Sequence, residues 1–486
     1  MSVLPWFLRC SISNHVIPIG LVVGLLLSCD IGIRADDDAR IFRAGAYAID
    51  ITPETFPVSS AGSMSPRSAA SAHDPLHARC LVLDDGNSKI AFAICDSCMI
   101  PREILDSAKA IVSAKIGIPT ARILASATHT HTAVTVGPVF QSSVEEEYCE
   151  FLATQIAAGI IRANAQLEPA QVGWAVGHNP RQVFNRRWYM RPDVAMTDPF
   201  GRGMDRVRMN PPRASDQLVK PAGLTDPEVP VLAFRAPDGR PIAVLANYSL
   251  HYVGGVPAAT LSADYFGEFA NQLAIRMEAG NTDPPFVGIM SNGTSGDINN
   301  INFFENTPRK QPFEQIRLVA ADVAESAHSA MQRVVYHDWV SLAMQETEVE
   351  LGVRKPDASE LQRAREILNE AGEGLPAIYA NESVHLADYP DTVKAKLQAI
   401  RIGELAIVTT PCETFVETGL AIKQSSPFKP TFTIELANGY NGYLPTPEQH
   451  ALGGYETWRA KSSYLATDAE PHIRQTLLNL LQALHD

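Results

Sequence analysis

Basic charge is what this sequence lacks first. It sets 40 basic residues against 54 acidic ones, a net charge of −14. Phosphate backbones need a basic footprint, so nucleic acid is excluded as a partner. Cysteine is scarce as well. There are seven in 486 residues, too few to build a disulfide framework in a chain of this length. "CDSC" at 95–98 has zinc-knuckle spacing, but no second pair exists to close a four-cysteine site, so these read as buried thiols at a strand end. No apolar run reaches the roughly 20 residues that span a bilayer. Internal repeats and low-complexity tracts are also absent.

The apolar run at 16–28, after Arg9 and before "IRADDD", has the length of an export-signal core instead. Cleavage after Ala35 would release a soluble protein, whereas "LLSC" ending at Cys29 resembles a lipoprotein box that would leave an anchor at a membrane surface. The expected organisation is a signal segment at 1–35 and one catalytic domain at 36–486.

Proline and glycine are plentiful, 34 and 31 residues, which suits a site built on loops. "ARCLVLDDGNSKIAFAIC" reads as two strands around a turn, and "PREILDSAKAIVSAKIG" as a helix closed by glycine. "ARILASA" is a short buried strand, and a helix through "EEEYCEFLATQIAAGIIRANAQ" and a strand in "AQVGWAVGH" follow. "VPVLAFRAPDGRPIAVLANYSLH" is a hairpin, and helices are expected at about 313–333 and 357–371. The alternation predicts an α/β fold of mixed sheets flanked by helices, with a metal site at strand ends. Residues 188–220, rich in Arg, Met, Pro and Gly, show no period and read as a long loop over a site.

The chemistry gathers where strands stop. "SATHTHTA" places His129 and His131 on one strand face, with Cα atoms roughly 6.6 Å apart. Both could bind one ion, or one could bind while the other faces a substrate. His251 ends "LANYSLH" and Glu413 ends "AIVTTPCE", each just after an apolar strand. Ligands from several strand ends are how α/β folds assemble sites.

"SATHTHTA", "LANYSLH" with "LSADYFG", "NGTSGDINN", "PCETF" and "GYLPTPEQHALGGYE" occur in the order found in the neutral, non-lysosomal ceramidases. "AGAYAIDITPE" and "HDPLHARCLVLDDG" are similar to that family's N-terminal segments, so the resemblance runs from about 44 to about 458. It implies one zinc ion on His129, His251, Glu413 and Tyr443, with His131 and Tyr455 facing the substrate. "FNRRW" makes Arg186 the implied carbonyl-binding residue and Arg187 its fallback. Asp264 is a candidate partner for a ligand histidine. Asp297 and Asn299 of "GDINN" stand on the implied substrate side, Asp297 chiefly holding its loop.

Two departures bear on the substrate. Asn299 replaces the serine that family members direct at the substrate head, and the family's C-terminal β-sandwich is expected to be absent. Arg191, Arg202, Arg206, Arg208 and Arg213 would suit a polar or anionic substrate. The expected partner is therefore a small-molecule or lipid N-acyl substrate, ceramide or something more polar, with no protein partner evident. The rivals are a hydrolase of another bond, such as an ester, and a non-catalytic surface-anchored binding protein.

Overall fold

Along the central strands the apolar residues sort by size, and this sorting sets the layers. In Lys89–Cys95, Ile90, Phe92 and Ile94 face one way while Ala91, Ala93 and Cys95 face the other. The same alternation in Glu228–Arg235 turns Leu232 and Phe234 to one core and Val231 and Ala233 to another. Both faces of each strand are buried, which is why these stretches read as continuous apolar runs.

The structure, a computed structural model, describes residues 40–486 except 204, 371 and 372. The leader, with its two processing outcomes at Ala35 and Cys29, lies outside the described residues.

The first sheet orders His77–Asp84 between Arg43–Asp50 and Lys89–Cys95, with Ile123–Ala127 added parallel at the edge. The second carries the expected hairpin, Glu228–Arg235 with Pro241–Tyr248, and pairs the latter in parallel with Val287–Asn292. Large side chains of these two sheets meet in one core (Phe92 and Leu81 with Leu245 and Ile289), joined by Ile400 and Ile407 from a third sheet. Helices Arg102–Ile116 and Glu146–Ala165 cover the outer face of the first sheet. Asp264–Arg276 and Glu314–Met331 cover that of the second. The result is a layered α/β fold of mixed sheets flanked by helices, as expected. The helix expected at 357–371 is found at Ala358–Asn369.

The stretch 188–220 departs from expectation. Arg187–Met190 lies between Val207–Met209 and Leu218–Pro221 in a three-stranded sheet. Strands of three or four residues are too short to show a period in sequence. All five cysteines of the described residues are free thiols, and Cys95 and Cys98 are buried, as read from the sequence.

Candidate metal centre

Each of the three sheets delivers one group to a common point. His129 follows the end of Ile123–Ala127, His251 the end of Pro241–Tyr248, and Glu413 the end of Leu405–Thr409. His129 is not on an extended strand: its φ is +75°, so the strand-face geometry expected for the two histidines is replaced by a turn. That turn still brings His131 Nε2 to 3.0 Å from His129 Nε2. His251 Nε2 lies 3.0 Å from the same atom.

The other ring nitrogens show why this matters. His129 Nδ1 faces Cys98 O at 2.6 Å, His131 Nδ1 faces Gly62 O at 3.0 Å and His251 Nδ1 faces Ser295 O at 3.2 Å. A carbonyl can only accept, so each Nδ1 carries a proton; His131 and His251 turn an Nε2 lone pair inward, and His129 does so once its Nε2 proton is displaced. Glu413 Oε2 lies 3.3 Å from His129 Nε2 and 3.8 Å from His251 Nε2, yet accepts no hydrogen bond in a buried setting. Burial, reinforced by neighbouring His129, holds His131 and His251 well below the usual imidazole range. At His129 burial pulls the same way, but the Glu413 carboxylate overcomes it and draws the ring up. Converging lone pairs and an orphaned carboxylate oxygen are the donor set of a divalent cation, and the residues fit zinc.

Tyr443 is delivered by backbone pairing. Glu413–Thr414 runs parallel to Tyr443–Leu444 with Glu413 opposite Tyr443, which sets the phenol beside the carboxylate. Arg186 Nη2 donates to the Tyr443 hydroxyl at 3.1 Å and to Gly296 O at 2.7 Å, and its Nε donates to Glu456 at 2.9 Å. Its Nη1 has no protein partner among the described residues. Arg187, the fallback, is fully buried and spent on Glu456, Gln449 and Gly453. Tyr455 lies 5.8 Å from Tyr443, ring to ring. Its turn needs the preceding glycine pair: Gly453 has φ +73°, and a Cβ there would sit 2.2 Å from Asp205 Oδ1.

His129, His131, His251, Glu413, Tyr443, Arg186 and Tyr455 all line one cavity of about 180 Å³. Asp297 and Asn299 do not. The Asp297 carboxylate accepts from Val416 N and Asn185 Nδ2. Asn299 donates to Asn210 Oδ1 at 2.7 Å and accepts from Ile301 N. Asn210 is the residue on the cavity wall, one layer in front of Asn299. None of Arg191, Arg202, Arg206, Arg208 and Arg213 lines it either. In the strand Val207–Met209, side chains alternate, and it is Met209 that reaches the cavity. Asp264 binds the backbone of Val253, Gly254 and Tyr265 rather than a histidine ring.

Three contributors went unnoticed in the sequence. Tyr440 donates from its hydroxyl to Glu413 Oε1 at 2.8 Å, Tyr252 stacks on His131 with ring centres 3.8 Å apart, and Glu456 joins the two arginines. Each stands close to a residue already singled out: Tyr440 three before Tyr443, Tyr252 directly after His251, and Glu456 at the end of the "GGYE" block.

Solved structures with this arrangement of layers include neutral ceramidase from Pseudomonas aeruginosa. That match has a TM-score of 0.69 and 18% identity, over 92% of this chain and 75% of that one. This chain has the neutral ceramidase fold. A ceramidase in complex with C2 gives a TM-score of 0.68 at 17% identity, with the same coverage of both chains. No protein-family model matches the sequence, and neither does any curated protein. The ceramidase likeness is thus carried by the fold. No helix of the described residues is long and apolar enough to cross a membrane.

Proposed function

We propose that this chain is an exported zinc-dependent amidohydrolase of the neutral ceramidase type, cleaving an N-acyl amide bond. The observation that carries the reading is the convergence of the His129 and His251 Nε2 atoms on a carboxylate oxygen that accepts no hydrogen bond, inside a ceramidase fold. His129, His251, Glu413 and Tyr443 would hold the metal. When bound, zinc lowers the pKa of water toward neutrality and polarises a carbonyl. The residues around it supply the rest. His131, its tautomer set by Gly62 O, keeps an Nε2 lone pair that accepts the water's proton and returns it to the leaving amine. Arg186 Nη1 and the Tyr455 hydroxyl are the donors left for the developing oxyanion, a role that contributes about 3–4 kcal/mol per donor in such sites. Tyr252 and the Gly62 carbonyl hold the His131 ring in place.

Met64, Phe140 and Met209 give the same cavity an apolar wall, which suits an acyl chain. Export rests on the apolar run at 16–28, with release at Ala35 or anchorage at Cys29. The deciding experiment is turnover of a panel of ceramides, N-acyl amino acids, N-acyl sugars and matched esters by the zinc-loaded protein. Cleavage of an N-acyl amide supports the reading. Ester cleavage alone would replace it with a different hydrolase, and no turnover of any member would favour a binding role.

A further inference from the structure

The metal cavity shares a wall with a second and larger one. The second encloses about 470 Å³ against about 180 Å³, and Met99, Gly137, Val139 and Tyr440 line both. Its remaining walls carry Arg102, Lys394, Lys396 and Lys461 against a single lining carboxylate, Glu103. This concentration of cations lies in a chain of net charge −14. Carboxylates do pair with these cations, but from behind the wall. Asp106 holds Arg102 Nε at 3.0 Å and Lys396 Nζ at 2.7 Å, Glu348 takes Arg102 Nη2, Glu346 stands 3.9 Å from Lys396 Nζ, and Glu382 stands 3.5 Å from Lys461 Nζ. Lys394 is exposed. Asn438, also on the wall, accepts from the buried Lys109 amine. Burial first, then the charge of Lys396, holds that amine down to about 7. Arg102 and Lys396 are each held by two carboxylates, so the charge left to face the cleft is that of Lys394 and, at 3.5 Å from its partner, Lys461, and it draws ligands of the opposite sign.

Tyr440 ties this cleft to the metal centre, because it lines both cavities and its hydroxyl donates to Glu413 Oε1. The apolar residues Met64, Phe140 and Met209 line the metal cavity alone. They take the acyl half of a substrate and leave the shared wall to the amine half.

We propose that the second cavity is a subsite for an oxyanion, a carboxylate or a sulfate, borne by the amine half of the substrate. The substrate class is then an N-acyl amide of an anionic amine. Its assignment to a substrate rests on the amidohydrolase reading, whereas oxyanion binding does not.

Two measurements on the zinc-loaded full chain test it. The first compares kcat/KM for N-dodecanoyl amides of 6-aminohexanoate, 6-aminohexyl sulfate and neutral 6-aminohexanol. The second follows binding of hexanoate and hexyl sulfate by calorimetry, without turnover. One anionic amide should exceed the neutral one, Lys461→Gln should cut that ratio by about tenfold or more, the scale of losing a desolvated charge partner, and Lys394→Glu should cut it by placing a like charge at the cleft. Kd for the matching alkyl anion should rise by a similar factor, and the tighter of the two anions names the chemistry. Equal turnover of anionic and neutral amides, or a ratio indifferent to both substitutions, would overturn the subsite. Failure to cleave any amide would defeat the amidohydrolase reading instead, and calorimetry would still decide whether the cleft binds oxyanions.

Discussion

Glu413 lines the metal cavity and Glu456 lies outside its lining, both of them buried carboxylates, but one is open and the other closed. Glu456 takes Arg186 Nε on one oxygen at 2.9 Å and Arg187 Nη1 on the other at 2.6 Å. Glu413 takes the Tyr440 hydroxyl on Oε1 and nothing on Oε2, with two imidazole nitrogens within 3.8 Å. A buried charge that is fully paired is a strut. One with an idle oxygen beside inward lone pairs is a ligand site waiting for a cation. The same contrast separates His131 from its neighbours, since it shares their tautomer but belongs, by the family resemblance, to the substrate side.

The largest effect that would sharpen this division comes at His131. His131→Ala should lower kcat by about 10²- to 10⁴-fold, as expected for loss of a general base, while zinc content stays at the wild-type level. Equal loss of metal and activity would make His131 a ligand and move the base elsewhere. Next comes the closed half. Glu456→Ala leaves two buried guanidiniums without their carboxylate and should cost about 3–5 kcal/mol of stability, read as a lowered urea midpoint. A midpoint unchanged from wild type would show that the pair is no strut.

The smallest effect concerns Asp297, which lies behind the cavity. Burial, opposed by the hydrogen bond from Val416, lifts its carboxyl to about 7. A carboxyl raised above its unfolded value of about 3.9 adds stability that is full at lower pH and is lost as pH climbs through 7. The loss across that window is at most about 1.4 kcal/mol per pH unit. Asp297→Asn should flatten this part of the profile in urea titrations at pH 5 and pH 8. Parallel profiles for variant and wild type would contradict the assignment.

How much of this was legible in the sequence follows from which forces act locally. Strands such as Lys89–Cys95 and the hairpin at 228–248 were readable because burial on both faces writes an apolar run. His129, His251 and Glu413 were findable because each lies just past such a run. The arginines of 188–213 misled because composition does not say which way a side chain points. Alternation along Val207–Met209 sends Met209, not Arg208, to the cavity. Asn299 was placed one layer too far forward, since the contact that puts Asn210 in front of it joins residues 89 positions apart. Asp264 looked like a histidine partner by chemistry, yet three backbone amides claim it. Convergence of loops is a tertiary fact, and only the family resemblance carried any of it.

Zinc content tests the metal centre most directly. Wild-type protein and the variants His129→Ala, His131→Ala, His251→Ala and Glu413→Gln would be loaded with zinc, desalted and assayed for metal per chain. One zinc per chain is expected in wild type and in His131→Ala, with loss of the metal in the other three. Full zinc occupancy in His251→Ala would contradict the centre built from the three strand ends.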